Sequence, residues 1–137
     1  MLLEKLIYNS AEEINLRLRT LSLIRWVAVL GQFGSVVIAY FYFEIVFNIY
    51  QVFFLISLSA VLNIIISVRY PLTKLLNSNE TFFYLVFDLI QLALLLFLTG
   101  GLTNPFCVLI IAPIIISATY LDLKRTIIIG IISIISL

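Results

Sequence analysis

Long apolar runs separated by short polar joints dominate this chain. The runs go from Ile24 to Phe43, Ile45 to Val68, Phe82 to Leu98 and Phe106 to Leu121, each near the length that crosses a bilayer core. A fifth begins at Thr126 and reaches the last residue, Leu137; it makes about 18 Å of helix against the ~30 Å of hydrocarbon a span must cross. The pattern predicts an all-α, polytopic membrane helical bundle with four complete spans and a truncated fifth. Two regions result, residues 1–23 as an N-terminal segment and residues 24–137 as a transmembrane domain, with spans at about 24–43, 45–68, 82–98, 106–121 and 126–137.

The joints predict orientation. Lys5, Arg17, Arg19 and Arg25 come before the first span, Arg69 and Lys74 between the second and third, and Lys124 and Arg125 between the fourth and fifth. All eight basic residues fall on one side, so the positive-inside rule puts the N-terminus in the cytoplasm. Tyr40, Phe41, Tyr42, Phe43, Phe47 and Tyr50 cluster at the opposite face, as interface anchors do. Five spans starting inside would end outside, so a cytoplasmic effector domain requires a sixth helix beyond Leu137. The first residues are mixed in charge and precede a full-length span, unlike a cleaved signal peptide.

Composition narrows the chemistry. Hydrophobic residues make up 64% of the chain and charged residues 11%, against roughly 45–50% and 25% in soluble domains. So small a globule has no interior large enough for that apolar excess, and an apolar solvent is required. Histidine is absent and Cys107 is the single cysteine. Imidazole-ligated haem and metal sites, histidine-based nucleophile triads and intrachain disulfides are thereby excluded. A net charge of +1 provides no attraction for nucleic acid. The expected partners are lipid, a lipid-soluble ligand and other helices.

A few segments depart from plain lipid-facing helix. Ser10, Ala11, Glu12 and Glu13 form a capping-box pattern, and Ile14, Leu18 and Leu21 then recur at helical spacing. They predict a short amphipathic helix on the inner membrane surface, with Arg17 toward lipid phosphates, either signalling or merely orienting the first span. Asp88 is the one acid well inside a span and should face protein. With Gln91 it makes a polar stripe that could meet Gln32 or Asn63, either to contact a ligand or proton or simply to pack helices. Pro113 predicts a kink in the fourth span, with Ser117 able to repair part of the lost hydrogen bonding. Cys107 reads as a small buried residue.

The joint between the third and fourth spans is a compact turn. Gly100 and Gly101 suit a helix end, and Asn104 before Pro105 suits a cap followed by the first helical residue. Free amides at that helix start could donate to a carbonyl oxygen, and Phe106 offers a ring for stacking, which suits a quinone head group. Any tight interhelical turn also contains such residues.

The segment LTGGLTNPF, Leu98 to Phe106, resembles the GGxxNPF signature turn of the RegB/PrrB (also ActS) redox-sensing histidine kinases. RLRTLSLIRWVAVLGQ at Arg17 to Gln32, VRYPLTKLLN at Val68 to Asn77 and APIIISATYLDLKRT at Ala112 to Thr126 agree in order and spacing. The resemblance implies a six-helix sensor in a bacterial inner membrane, joined to a cytoplasmic dimerisation and ATP-binding kinase region. It further implies sensing of the ubiquinone pool at Gly100, Gly101, Asn104, Pro105 and Phe106, a homodimer, and phosphoryl transfer to a response regulator. Without histidine or a glycine-rich ATP loop this chain is not catalytic alone; ATP belongs to the kinase region, and neither haem nor metal is expected. The alternative is a small polytopic transporter or an accessory subunit of a respiratory complex.

Overall fold

The computed structural model describes residues 17–44, 46–71 and 73–136. Five α-helices make up most of it: α1 (Leu18–Phe41), α2 (Ile49–Arg69), α3 (Ser78–Leu98), α4 (Ile111–Tyr120) and α5 (Leu123–Ile135). Two 3₁₀ pieces, Gly101–Thr103 and Pro105–Ile110, join α3 to α4. Among the described residues there is no strand, only an isolated bridge between Arg17 and Leu75. The chain is an all-helical membrane protein in which α1, α2 and α3 are each long and apolar enough to cross a bilayer. The rod from Pro105 to Tyr120 is apolar but shorter; its 3₁₀ and α portions together make about 27 Å.

Local chemistry sets the boundaries. The Asn48 side chain accepts from the Tyr50 amide at the start of α2. Tyr70 is extended, as the residue before Pro71 must be, and α2 ends there. At the start of α3 the Asn77 amide donates to Glu80, whose other oxygen takes a 2.7 Å bond from Lys74. That bond holds the partly exposed Lys74 ammonium above the ordinary lysine range. The helices therefore run 18–41, 49–69 and 78–98 where the apolar runs predicted 24–43, 45–68 and 82–98; the caps and Pro71, and not the apolar limits, decide the ends.

Pro113 marks a change of helix type. It sits in the first turn of α4, directly after the 3₁₀ segment. Proline has no amide for the Leu109 carbonyl and its ring crowds that oxygen, so α-helical bonding cannot extend back across residues 109–113. The helix changes type there. Ser117 does not repair this deficit, because its hydroxyl donates to the Ile114 carbonyl at 2.7 Å.

The helix α3 is central, packing against α2, α4, α5 and both 3₁₀ pieces. Leu85, Leu89, Leu92 and Leu96 of α3 bury with Ile110 and Ile129, while Leu95 joins Val29, Val36, Val52 and Ile56. Three basic residues share one end of the bundle: Arg17 bridges to Leu75, Lys74 pairs with Glu80, and Arg125 bonds both Asp122 and Asn79. The capping-box residues Ser10 to Glu13, with Lys5 and Ile14, lie outside the described residues. Leu18 and Leu21 do not face a membrane surface; they are buried with Leu76 against Tyr84 and Tyr120. The α2–α3 connection folds back over them, since the Leu18 amide donates to the Lys74 carbonyl. No break separates residues 17–23 from the first long helix.

Candidate functional site

Two polar centres stand out from the apolar background. The first is the turn from Gly100 to Phe106. Gly100 (φ 114°) and Gly101 (φ 58°) adopt left-handed backbone, which ends α3 and leads into the 3₁₀ piece Gly101–Thr103. Asn104 is buried, and its side chain works in both directions. Its carbonyl oxygen accepts from the Phe106 amide at 2.9 Å, and its amide donates to the Thr99 hydroxyl at 2.8 Å and the Thr99 carbonyl at 3.3 Å. Thr99 in turn donates to Leu95 and Leu96, tying the turn to the end of α3.

This bonding corrects one expectation. The Asn104 amide donates to Gly101, the Phe106 amide to the Asn104 side chain, and the Cys107 amide to the Asn104 carbonyl. Pro105 has none. The amides from Asn104 to Phe106 are therefore spent on the turn itself and offer no free donor to a ligand. What the turn presents outward is shape: exposed Pro105 and Leu102, half-buried Phe106, and glycines without side chains. Cys107, half-buried, packs on the α3 core.

The second centre lies between α1 and α3. Gln32 and Gln91 form a reciprocal amide pair, each nitrogen donating to the other's oxygen at 3.1 Å, and Gln91 also reaches the Leu55 carbonyl. Asp88, one turn earlier on α3, faces Arg25 of α1, with Arg25 Nε 3.1 Å from Asp88 Oδ1. The distance makes an ion pair, yet the angle is wrong for a hydrogen bond, and both Nε and Nη2 of Arg25 are buried without a hydrogen-bond partner among the described residues. The guanidinium sits over the rings of Tyr84 and Phe87, at 5.9 and 5.7 Å. Asn63 is not part of this centre; it donates to the Ser22 carbonyl, and its own oxygen has no partner among the described residues.

Arg25 is the residue that sequence reading misses. Its position suggests the basic flank before the first span, whereas it lies inside α1 with its side chain 3% exposed. The signal is there in the residues: a lone acid in an apolar helix needs a cation, and Arg25 stands inside the first apolar run.

The chain is 43% identical to the sensor histidine kinase RegB of Cereibacter sphaeroides over 118 residues, 86% of this chain and 26% of that protein. A second sensor histidine kinase RegB, from a strain of the same species, is 44% identical over 77 residues, 56% of this chain and 17% of the relative. The chain thus spans about a quarter or less of the length of the curated relatives it matches. No family model matches it. No solved structure matches it.

Proposed function

The chain carries the N-terminal sensor region of the RegB family of sensor histidine kinases, and from that premise we propose that it is the membrane input module of a redox-responsive kinase. It crosses a bacterial inner membrane with its N-terminus in the cytoplasm, counting the Pro105–Tyr120 rod as a fourth span. It reads the ubiquinone pool at Gly100, Gly101, Asn104, Pro105 and Phe106 and controls autophosphorylation of a cytoplasmic kinase domain that serves a response regulator, in a homodimer. The likeness over most of the chain carries this reading and favours it over a transporter or a respiratory subunit.

Mechanistically, the turn works as a rigid platform. Asn104 holds its shape through three local hydrogen bonds, and the head group lies on the Phe106 and Pro105 rings, since the nearby amides are engaged. A ligand moves the kinase only as far as it binds one helix arrangement better than another. From the turn, α4 leads to the basic end, where the Thr126 hydroxyl bonds the Ser117 carbonyl and Arg125 bonds Asn79 on α3. Displacement of α4 is thereby coupled to α5 and α3 together. The test is autophosphorylation of the whole kinase in lipid vesicles, titrated with oxidised ubiquinone. Phe106→Ala is expected to abolish inhibition; inhibition at the original concentration would refute the assignment of the turn.

A further inference from the structure

The helices pack unevenly. The close pairs are α1 with α2, α2 with α3, α3 with both α4 and α5, and α4 with α5; α1 with α3 and α1 with α4 are not among them. Side chains alone join α1 to α3: the Gln32–Gln91 pair, the Arg25–Asp88 pair, and Leu95 in one cluster with Val29 and Val36. Beside these bridges a groove of about 300 Å³ separates α1 from α4. Ala28 and Gly31 stand on one wall and Ala112 and Pro113 on the other, and Asp88 lies between them.

Both walls suit a closer approach. Small residues let helix backbones come together in a bilayer, and here they face each other across open space. Ala28, Gly31 and Ala112 are exposed, and a Cβ added at Gly31 meets nothing within 4 Å. The Pro105–Tyr120 rod also has its joint beside the groove, where the 3₁₀ segment gives way to α4 at Ile111. A change of helix type inside a rod is a place where it can bend.

The polar bridges differ in how complete they are. Gln32 and Gln91 satisfy each other, which makes them a natural pivot. Arg25, two helical turns or about 10 Å earlier along α1, brings its Nε within 3.1 Å of Asp88 without a hydrogen bond, and its Nε and Nη2 have no partner among the described residues. A guanidinium engages a carboxylate best through two parallel N–H bonds, and buried donors left unmet favour any arrangement that engages them. Arg25 and Ala28 lie on the same side of the pivot, so one swing of α1 acts on both. We propose that the bundle has a second, closed arrangement, in which α1 and α4 meet along Ala28, Gly31 and Ala112 and Arg25 latches Asp88 through two parallel hydrogen bonds; the structure shows the open one. This closure deepens the proposed function by naming the part that moves, and rests on that reading in that respect alone.

The experiment is disulfide trapping in the whole protein in nanodiscs, with Cys107→Ser as the background and Ala28→Cys paired with Ala112→Cys. A disulfide needs Cα atoms about 4.4–6.8 Å apart, which a closed seam provides and an open groove denies. The control pair is Leu30→Cys with Ala112→Cys, since Leu30 is exposed and takes no part in the groove. Oxidation is expected to trap the Ala28 pair well ahead of the control. Arg25→Lys keeps the charge and loses the fork, and is expected to slow trapping about tenfold, the size of one charged hydrogen bond. Gly31→Leu fits the open groove but obstructs the seam, and is expected to abolish trapping. Equal trapping of the two pairs with Arg25 and Asp88 intact overturns the closed arrangement, with no reliance on a variant that fails to fold. Trapping at the original rate in Arg25→Lys overturns the latch, and undiminished trapping in Gly31→Leu of native helicity overturns the seam. The readout needs no kinase activity, so its failure is distinct from failure of the ubiquinone titration: Phe106→Ala with normal inhibition would sink the turn and leave the closure standing.

Discussion

The turn at Gly100–Phe106 and the polar pair Arg25–Asp88 are opposites in how they satisfy their polar groups. Every bond of Asn104 reaches a residue within five positions along the chain, and the turn closes on itself. Arg25 and Asp88 come from helices separated by the whole of α2, and their geometry leaves two guanidinium nitrogens without a hydrogen-bond partner among the described residues. A self-satisfied turn offers a ligand shape and rings; an under-satisfied buried pair offers unfilled hydrogen-bonding capacity, which is costly in an apolar medium until something meets it. The difference teaches that motif conspicuousness and chemical availability are separate properties.

Four measurements sharpen that contrast, beginning with the largest effect. Arg25→Ala leaves Asp88 without its cation and is expected to destabilise the bundle by about 3 kcal/mol in detergent unfolding, while pairing it with Asp88→Leu recovers most of that loss. If the double substitution is as damaging as the single one, Arg25 contributes through packing on Tyr84 and Phe87 and not through charge. Asn104→Ala removes three local bonds, the helix cap among them, with an expected cost of about 1–2 kcal/mol. Here Asn104→Asp is informative: it keeps the acceptor for the Phe106 amide and loses the donor to Thr99, so an intermediate stability is expected.

The Gln32–Gln91 pair is expected to show a coupling of about 0.6–1.7 kcal/mol in a double-mutant cycle with leucine at both positions, the range of interhelical hydrogen bonds in membranes. A value near zero would show that the amides exchange partners freely. The smallest contrast is between two glycines. Gly101→Ala is expected to cost about 1 kcal/mol, because an L-residue resists its left-handed backbone although space is open around it. Gly31→Ala, in helical backbone with equally open space, is expected to stabilise α1 by up to about 1 kcal/mol. Equal effects at both sites, measured by thermal unfolding, would remove the conformational argument for the turn.

Much of the architecture was legible in the residues. Apolar runs identified the helices because a bilayer imposes length and hydrophobicity on any segment that crosses it, and Gly-Gly before Asn-Pro marked the turn because its backbone angles and caps are local matters. Less legible were the helix ends, since Pro71 and the caps at Asn48 and Asn77 override the apolar limits, and the 3₁₀ stretch ahead of Pro113. The burial of Leu18 and Leu21 was hidden as well, because periodicity reports an apolar face but not whether lipid or Leu76 covers it. The engagement of the turn amides was also out of view: a free helix start and a capped one share the same letters.

By itself, the amino-acid order determined that this protein lives in lipid, that it is helical, and that a sharp joint divides α3 from α4. These properties depend on neighbours within a few residues and on the solvent, and both are written along the chain. Tertiary structure alone decided that Arg25 is a buried partner and not a surface flank, that Gln32 meets Gln91, and that Asp88 opens on a chamber beside α4. Such facts depend on the rotation of one helix against another, which packing selects among apolar faces that differ little in composition.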